Sequence, residues 1–303
     1  MEQRHKKELM NLTRGKVLFD RSMSSYTTMG VGGPADALYE AEQSRELACV
    51  TGFLLDEGIP FMVVGKGSNL LVTDNGYRGT IILLKGRFTG ISRKEESPSE
   101  LHAGAGSSIV DLLLFCRRAE LGGMEFLTWV PGTVGGAVAM NAGAFGRETG
   151  DYVNCLEVMN RQGEISEIGS SDLSFSYRRL EIEEASIILS ARFGLRHRIR
   201  AEIEKEIASL MKKRKNSQPL AYPSAGSIFK NPPGDYAGRL IEEAGLKGRR
   251  MGGAMVSERH ANFIINTGGA RAEDILSLIA IVRQEVMKKS GIELEPEVRV
   301  VGQ

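Results

Sequence analysis

The chain has 303 residues, with 39 Lys and Arg against 38 Asp and Glu, so it carries almost no net charge at neutral pH. That length buries a large core and favours about two domains, while the charge balance leaves no overall field to recruit nucleic acid or an anionic membrane. Three scattered cysteines with no C-x-x-C spacing favour neither a disulfide framework nor a metal site, and no stretch approaches the ~18 apolar residues of a membrane helix, which together suggest a soluble cytoplasmic protein.

Residues 1–24 are polar and read as an N-terminal arm with a short helix. From Asp36 the runs DALYE, FMVVG and TIILL look like strands around a helix that buries Leu47, Val50 and Leu54, with Ser44 as its cap. A second helix starts after Ser107 or Ser108, buries Ile109, Leu112, Leu113 and Cys116, and is expected to stop at Gly122-Gly123. Cys116 then packs rather than reacts. Strand-like segments at LEVMN and SIILSARFGL close this region near residue 196.

The charged stretch Arg196 to Lys215 has helical period, with Ile199, Ile203, Ile207 and Leu210 on one stripe, and reads as a domain-crossing helix. Its KKRK end is expected to be solvated and favoured by the helix dipole. Beyond it come a helix near Tyr236 to Ala244, a strand at Ala261 to Asn266, and an amphipathic helix bearing Ile275, Leu278, Ile279, Val282 and Val286. A last strand, Glu297 to Val301, completes an α+β pattern.

Three segments carry chemistry. The run 224–232, SAGSIFKNP, combines a hydroxyl (Ser227), a glycine (Gly226), an ammonium (Lys230) and a carboxamide (Asn231) in one turn-rich stretch. The loop Gly65, Lys66, Gly67, Ser68, Asn69, Leu70 lies between two apolar runs and reads as a hairpin loop able to meet an anion, although it matches neither the P-loop nor the dinucleotide-fold pattern. The segment 131–144, with Pro131, Gly132, Thr133, Gly135, Gly136, Asn141 and Gly143, is so rich in small residues that backbone can lie against a flat or extended ligand. The bulky apolar periodicity of a helix or strand is missing there.

VGKGSNLLV, PGTVGGAVAMNAGAFG, SYR at 176–178, SAGSIFKNP and EPEVR at 295–299 occur in an order that resembles the UDP-N-acetylenolpyruvoylglucosamine reductase (MurB) family, in its short form, over roughly residues 25–303. The resemblance implies a two-lobed FAD-binding domain of the vanillyl-alcohol-oxidase (PCMH) type at 25–196, with lobes near 25–87 and 88–196. An α+β substrate-binding domain follows at 197–303. It also implies non-covalent FAD held by the two small-residue loops, NADPH as hydride-donating co-substrate, and a UDP-sugar substrate reduced to UDP-N-acetylmuramate for peptidoglycan. Arg178 clamps the substrate carboxylate in that reading, Glu297 stabilises the enol intermediate, and Ser227 donates the proton. Tyr177, Arg214, Gln218, Gly226, Lys230 and Asn231 take the substrate positions.

Two departures from the family pattern stand out. Arg178 and Ser227 are only about fifty residues apart, so the insert whose tyrosine covers the diphosphate in longer members is missing. Leu180 stands where a serine is frequent. His102, the residue that would suggest a covalent flavin link, is expected to be structural. The oligomeric state is left open, with a monomer favoured.

Overall fold

The computed structural model describes residues 1–14 and 16–302 and folds them into two units that exchange segments along the chain. Unit 1 takes Met1–Phe19, Ala37–Gly65 and Gly79–Lys212; unit 2 takes Asp20–Asp36, Lys66–Arg78 and the chain from Lys213 onward. Each has its own core, one running from Leu9 to Leu195 and the other from Met29 to Val298. This division by packing is discontinuous, whereas the sequence reading drew linear boundaries at 24/25 and 196/197. Short segments far apart in sequence complete the second core: Met29, Val31 and Leu71 are all buried in it.

In unit 1, α1 (Gln3–Leu12) buries Leu9 completely, and His5 bonds Glu57 at 3.0 Å, so the N-terminal segment packs instead of projecting as an arm. An apolar face three and four residues apart is enough to dock a short helix. α2 (Ser44–Asp56) buries Leu47, Val50 and Leu54 as expected, but its N-cap is Gln43; Ser44 is already helical and buried. α3 (Ile109–Arg118) is capped by Ser108, whose Oγ accepts from the Asp111 N–H at 3.0 Å. It stops at Arg118, short of the glycine pair, because Leu121–Gly122 is taken up as a strand against Arg196–His197. Cys116 is buried in the core, which pushes its thiol up to about 12.

Two sheets support these helices. One has the order Val17–Ser22, Pro34–Ala41, Tyr77–Leu84, Phe61–Val63. The other, with all described neighbours antiparallel, runs Ile165–Gly169, Val153–Met159, Ile187–Gly194, Glu100–Gly104, Ile91–Arg93. His102 lies exposed on the fourth of these strands, in register with Arg192 and Ser92. The segment 131–144 contains a short helix, α4 (Val134–Ala139), that buries Val134, Ala137 and Val138. At six residues it is too brief to show a period.

α5 (Arg200–Ser217) crosses the unit boundary at Lys212/Lys213 and buries Ile203 and Leu210, whereas Ile199 is exposed. Three of the four KKRK residues are solvated, but Arg214 is buried.

Unit 2 holds α6 (Ala237–Glu243), α7 (Ala272–Ser290) and the sheet Arg250–Met251, Ala254–Val256, Ile264–Asn266. The α7 core face is the predicted one: Ile275, Leu278, Ile279, Val282 and Val286. Leu70–Val72 pairs in parallel with Arg299–Val301. The loop before it is therefore no hairpin: Phe61–Val63 belongs to a different sheet, beside Tyr77–Leu84. The last strand begins at Arg299, two residues later than expected, which leaves Glu297 in the preceding loop.

Candidate active site

In unit 1, α3 and the small-residue loop are locked together. Ile109 N–H donates to the Gly132 carbonyl, Val134 N–H to Ser107, and Gly135 N–H to Ala105, at 2.8 to 3.1 Å. Thr133 caps α4, its Oγ1 accepting from Gly136 N–H at 3.4 Å. A Cβ on Gly65 would lie 2.4 Å from that Thr133 oxygen. The two predicted loops thus meet at this point, and only a residue without a side chain permits the approach. Pro131, Gly136 and Ala139 are exposed beside it, and Trp129, the sole tryptophan, is 53% exposed one turn upstream. The result is a strip of small residues beside one exposed aromatic ring.

Tyr177 and Arg178 form the two-residue turn between strands Ser174–Ser176 and Arg179–Glu181, where Ser176 pairs with Arg179. Arg178 has φ +61°, a conformation that favours glycine or asparagine. Its guanidinium lies 5.0 Å from the centre of the half-exposed Tyr177 ring, a cation–π contact that orients the fork. Leu180, which replaces the frequent serine, is buried and pairs with Phe175 across the hairpin. An apolar residue at that position anchors the turn from below.

In unit 2, Ser227 stands between a glycine in the left-handed region and two pinned core residues. Gly226 adopts φ +74°. Ile228 and Phe229 are buried, and Asn262 grips Phe229 through both ends of its carboxamide, at 2.9 and 2.8 Å. The next strand-like partner is the segment that carries Glu297: Glu297 N–H donates to the Ile228 carbonyl at 2.7 Å, and Lys230 N–H donates to Glu295 at 2.9 Å. Ser227 and Glu297, both half-buried, therefore lie on neighbouring paired segments. Asn69 holds the second of these in place, its Nδ2 donating to the Glu297 carbonyl at 3.0 Å while its own carbonyl accepts from Arg299 N–H.

The remaining predicted positions divide by what they already hold. Arg214 and Gln218 face each other one helical turn apart, with Nη1 3.4 Å from Oε1, and burial draws the Arg214 guanidinium below its ordinary value. Such a desolvated cation is worth more to an anion than a surface one. Lys230 Nζ pairs with Glu295, and Asn231 Oδ1 accepts from Ala237 N–H at the start of α6. Lys66 is exposed, Gly67 is buried with φ +60°, Ser68 is half-buried, and Leu70 opens its strand inside the core. Asn262 was missed by the sequence reading. The signal was a carboxamide inside an apolar run, AlaAsnPheIleIle, where a polar residue needs buried partners.

Two family models match the chain: the FAD binding domain over residues 35–169, and the C-terminal domain of UDP-N-acetylenolpyruvoylglucosamine reductase over 218–301. A UDP-N-acetylenolpyruvoylglucosamine reductase from Syntrophus aciditrophicus is 44% identical over 98% of this chain and 96% of its own length. One from Geotalea uraniireducens is 43% identical over 97% of each. The crystal structure of the Thermus caldophilus enzyme (MurB) superposes with a TM-score of 0.81 at 38% identity, over 94% of this chain and 98% of that one.

Proposed function

The chain belongs to the UDP-N-acetylenolpyruvoylglucosamine reductase family, and from that premise we propose that Arg178, Ser227 and Glu297 carry the chemistry on the enolpyruvyl group. The reaction is the FAD-dependent reduction of the enolpyruvyl ether of UDP-N-acetylglucosamine to UDP-N-acetylmuramate, a peptidoglycan precursor. Bound FAD supplies the hydride chemistry, with NADPH as the source of the hydride and C3 of the enolpyruvyl group as its destination. The residues present fit that cofactor. Gly65, Gly132, Gly135 and Gly136 offer backbone without side chains beside Pro131 and Thr133 where the two loops meet, and the exposed ammonium of Lys66 follows directly in the chain.

Hydride arrival at C3 leaves negative charge on C2 that spreads into the substrate carboxylate. A planar guanidinium fork binds such a carboxylate through two hydrogen bonds, and the bonds strengthen as the charge builds. Arg178 takes that role. Glu297 supports the enol form, and the Ser227 hydroxyl gives its proton to C2. A hydroxyl is a weak acid, so it acts only when the carbon is strongly basic, which confines Ser227 to this step. Arg214 and Gln218, with Tyr177, Gly226, Lys230 and Asn231, bind the UDP-sugar. The chemistry of nucleotide-sugar and NADPH suits the cytoplasm; no described helix is long and apolar enough to cross a membrane.

The observation that supports this reading best is the pairing of Ile228 with Glu297, which sets an acid and a carboxylate on adjacent backbones beside a glycine at positive φ. Half-reactions test it. Ser227→Ala should let NADPH bleach the flavin at the normal rate while reoxidation by the enolpyruvyl UDP-sugar slows by ~10²-fold or more. Arg178→Lys should fail at the same step, because a point charge cannot reproduce a fork. Wild-type reoxidation in either variant would remove that residue from the mechanism.

A further inference from the structure

Asn141 sits in the small-residue loop that the sequence assigns to the cofactor, yet its side chain faces inward. The residue is 1% exposed and has φ +39°. Its Nδ2 donates to the Glu148 carboxylate at 2.7 Å and to the Ser176 carbonyl at 3.1 Å, and its Oδ1 accepts from Gly150 N–H at 2.9 Å. Both amide hydrogens are spent on protein partners. A carboxamide has only those two to give, so none remains for a diphosphate.

What those bonds hold is the turn of Arg178. Ser176 is the last residue of the strand that enters the turn, and it pairs with Arg179 on the far side. Arg178 itself keeps a positive φ that costs an ordinary residue of order 1 kcal/mol, and such a conformation persists only where the surroundings dictate it. Glu148 is fixed in turn: its N–H donates to Asp151 Oδ2 at 3.0 Å, and the strand Arg147–Glu148 pairs with Gly143–Ala144. Gly143 completes the fit. A Cβ there would come within 2.9 Å of the Arg147 carbonyl and 3.2 Å of Arg178 Nη1.

We propose that Asn141, braced by Glu148 and with Gly143 as the floor, is a positioning residue that sets the Arg178 guanidinium for the substrate carboxylate, and is no cofactor contact. The inference rests on the carboxylate-binding role of Arg178. Its chemistry is that of a carboxamide bridging a carboxylate and a strand-end carbonyl, so that a turn with an unfavourable backbone angle is kept in one state. A shift of about 1 Å in such a group is enough to cost ~10²-fold in rate.

The test uses the holoenzyme. Asn141→Ala should retain FAD with a dissociation constant within about 2-fold of wild type and accept hydride from NADPH normally, while sugar-driven reoxidation falls by ~10-fold or more. In the double variant with Arg178→Ala, the loss should equal that of Arg178→Ala alone, because the two substitutions remove the same interaction. Glu148→Gln, which keeps an oxygen for Asn141, should lose less than Glu148→Ala. If Asn141→Ala fails to fold, Gly143→Ala carries the test, since its methyl group presses on the same guanidinium.

FAD affinity weakened well beyond 2-fold in Asn141→Ala, with the flavin that remains bound reoxidised by the sugar at the wild-type rate, overturns the proposal, as does an additive loss in the double variant. If Arg178→Ala alone leaves reoxidation at the wild-type rate, the reading of Arg178 falls first. If Arg178→Ala is slow while Asn141→Ala and Gly143→Ala are both normal, only the positioning role falls.

Discussion

His260 links the protonation state of unit 2 to the segment that holds Ser227. Its Nδ1 accepts from Asn262 N–H at 3.3 Å, its ring leans on Phe263 with centroids 4.9 Å apart, and Asn262 is the residue that grips Phe229. Burial lowers the His260 pKa from its ordinary value of 6.5, and the charge of Lys247 lowers it further against a smaller opposing pull from Glu242. Since the folded pKa lies below the unfolded one, the unfolded chain takes up this proton first as pH falls. Stability contributed by neutral His260 is therefore complete above about pH 6.5 and is lost as the pH drops from there through the folded pKa. Protonation also removes the acceptor for Asn262. Urea midpoints measured from pH 7.5 down to 5 should fall in wild type, and His260→Gln should flatten part of that fall. An unchanged slope in the variant would show that other groups govern it.

Among the elements, a buried ion network fixes the short hairpin that carries Gly143. Glu125 is 2% exposed; its Oε1 pairs with Arg198 at 3.0 Å, and its Oε2 accepts from Gly123 N–H at 2.8 Å. Glu206 on α5 joins Arg147 at 3.0 Å and Arg198 at 2.6 Å. Burial pulls the Glu206 pKa up, but the hydrogen bond from Arg198 and the charge of Arg147 outweigh it and leave the carboxylate below its ordinary value. Glu125→Ala would leave two guanidiniums sharing one carboxylate and a buried N–H without its acceptor. We expect a loss of about 3–5 kcal/mol in chemical denaturation, with Glu125→Gln milder because it keeps an oxygen for Gly123. A loss below about 1 kcal/mol would mean that water or other groups replace the carboxylate.

Long periodic segments were readable in advance. α7 shows five buried residues at helical spacing, and α2 and α3 each reveal their inner stripe; an apolar face of that length has few other places to go. α4 was not readable, since six residues with a glycine pair look like loop until Thr133 is known to cap them. Nor could the strands at 61–63 and 70–72 be separated, because their partners lie far off in sequence and local pattern does not encode them. The site was legible to different depths. Ser227 and Gly226 stood out as a polar turn, and the φ of Gly226 agrees with the reason given for a glycine there. The bonds made by Asn262, Asn69 and Asn141 were hidden, because a carboxamide shows its partners only once the fold is in place.

For the molecule as a whole, the family-model boundaries and the packing boundaries do not coincide. The FAD binding domain match spans 35–169, yet residues 66–78 within it pack with unit 2. They do so through specific bonds. Asp74 accepts from the N–H groups of Ala272 and Glu273, each at 3.0 Å, at the start of α7; in the separate segment 20–36, Thr28 likewise donates to the Ser224 carbonyl at 2.7 Å. A fragment of residues 213–303 lacks these partners and loses Met29, Val31 and Leu71 from its core. At about 1.5–3 kcal/mol for each buried side chain, that deficit is comparable to the 5–15 kcal/mol that stabilises a typical domain. The fragment should show no cooperative thermal transition by circular dichroism. A sharp transition with native-like amide dispersion would show that the C-terminal segment is self-sufficient.

The parallel pairing of Leu70–Val72 with Arg299–Val301 also bears on how the polypeptide acquires its shape during synthesis. The earlier strand leaves the ribosome long before the later one exists, so its open edge must wait while most of the chain is translated. Such an edge is a template for mispairing with other nascent chains. Leu71 and Val72, fully hidden at the end, are the side chains at hazard during that interval, and slower elongation past residue 72 would lengthen it.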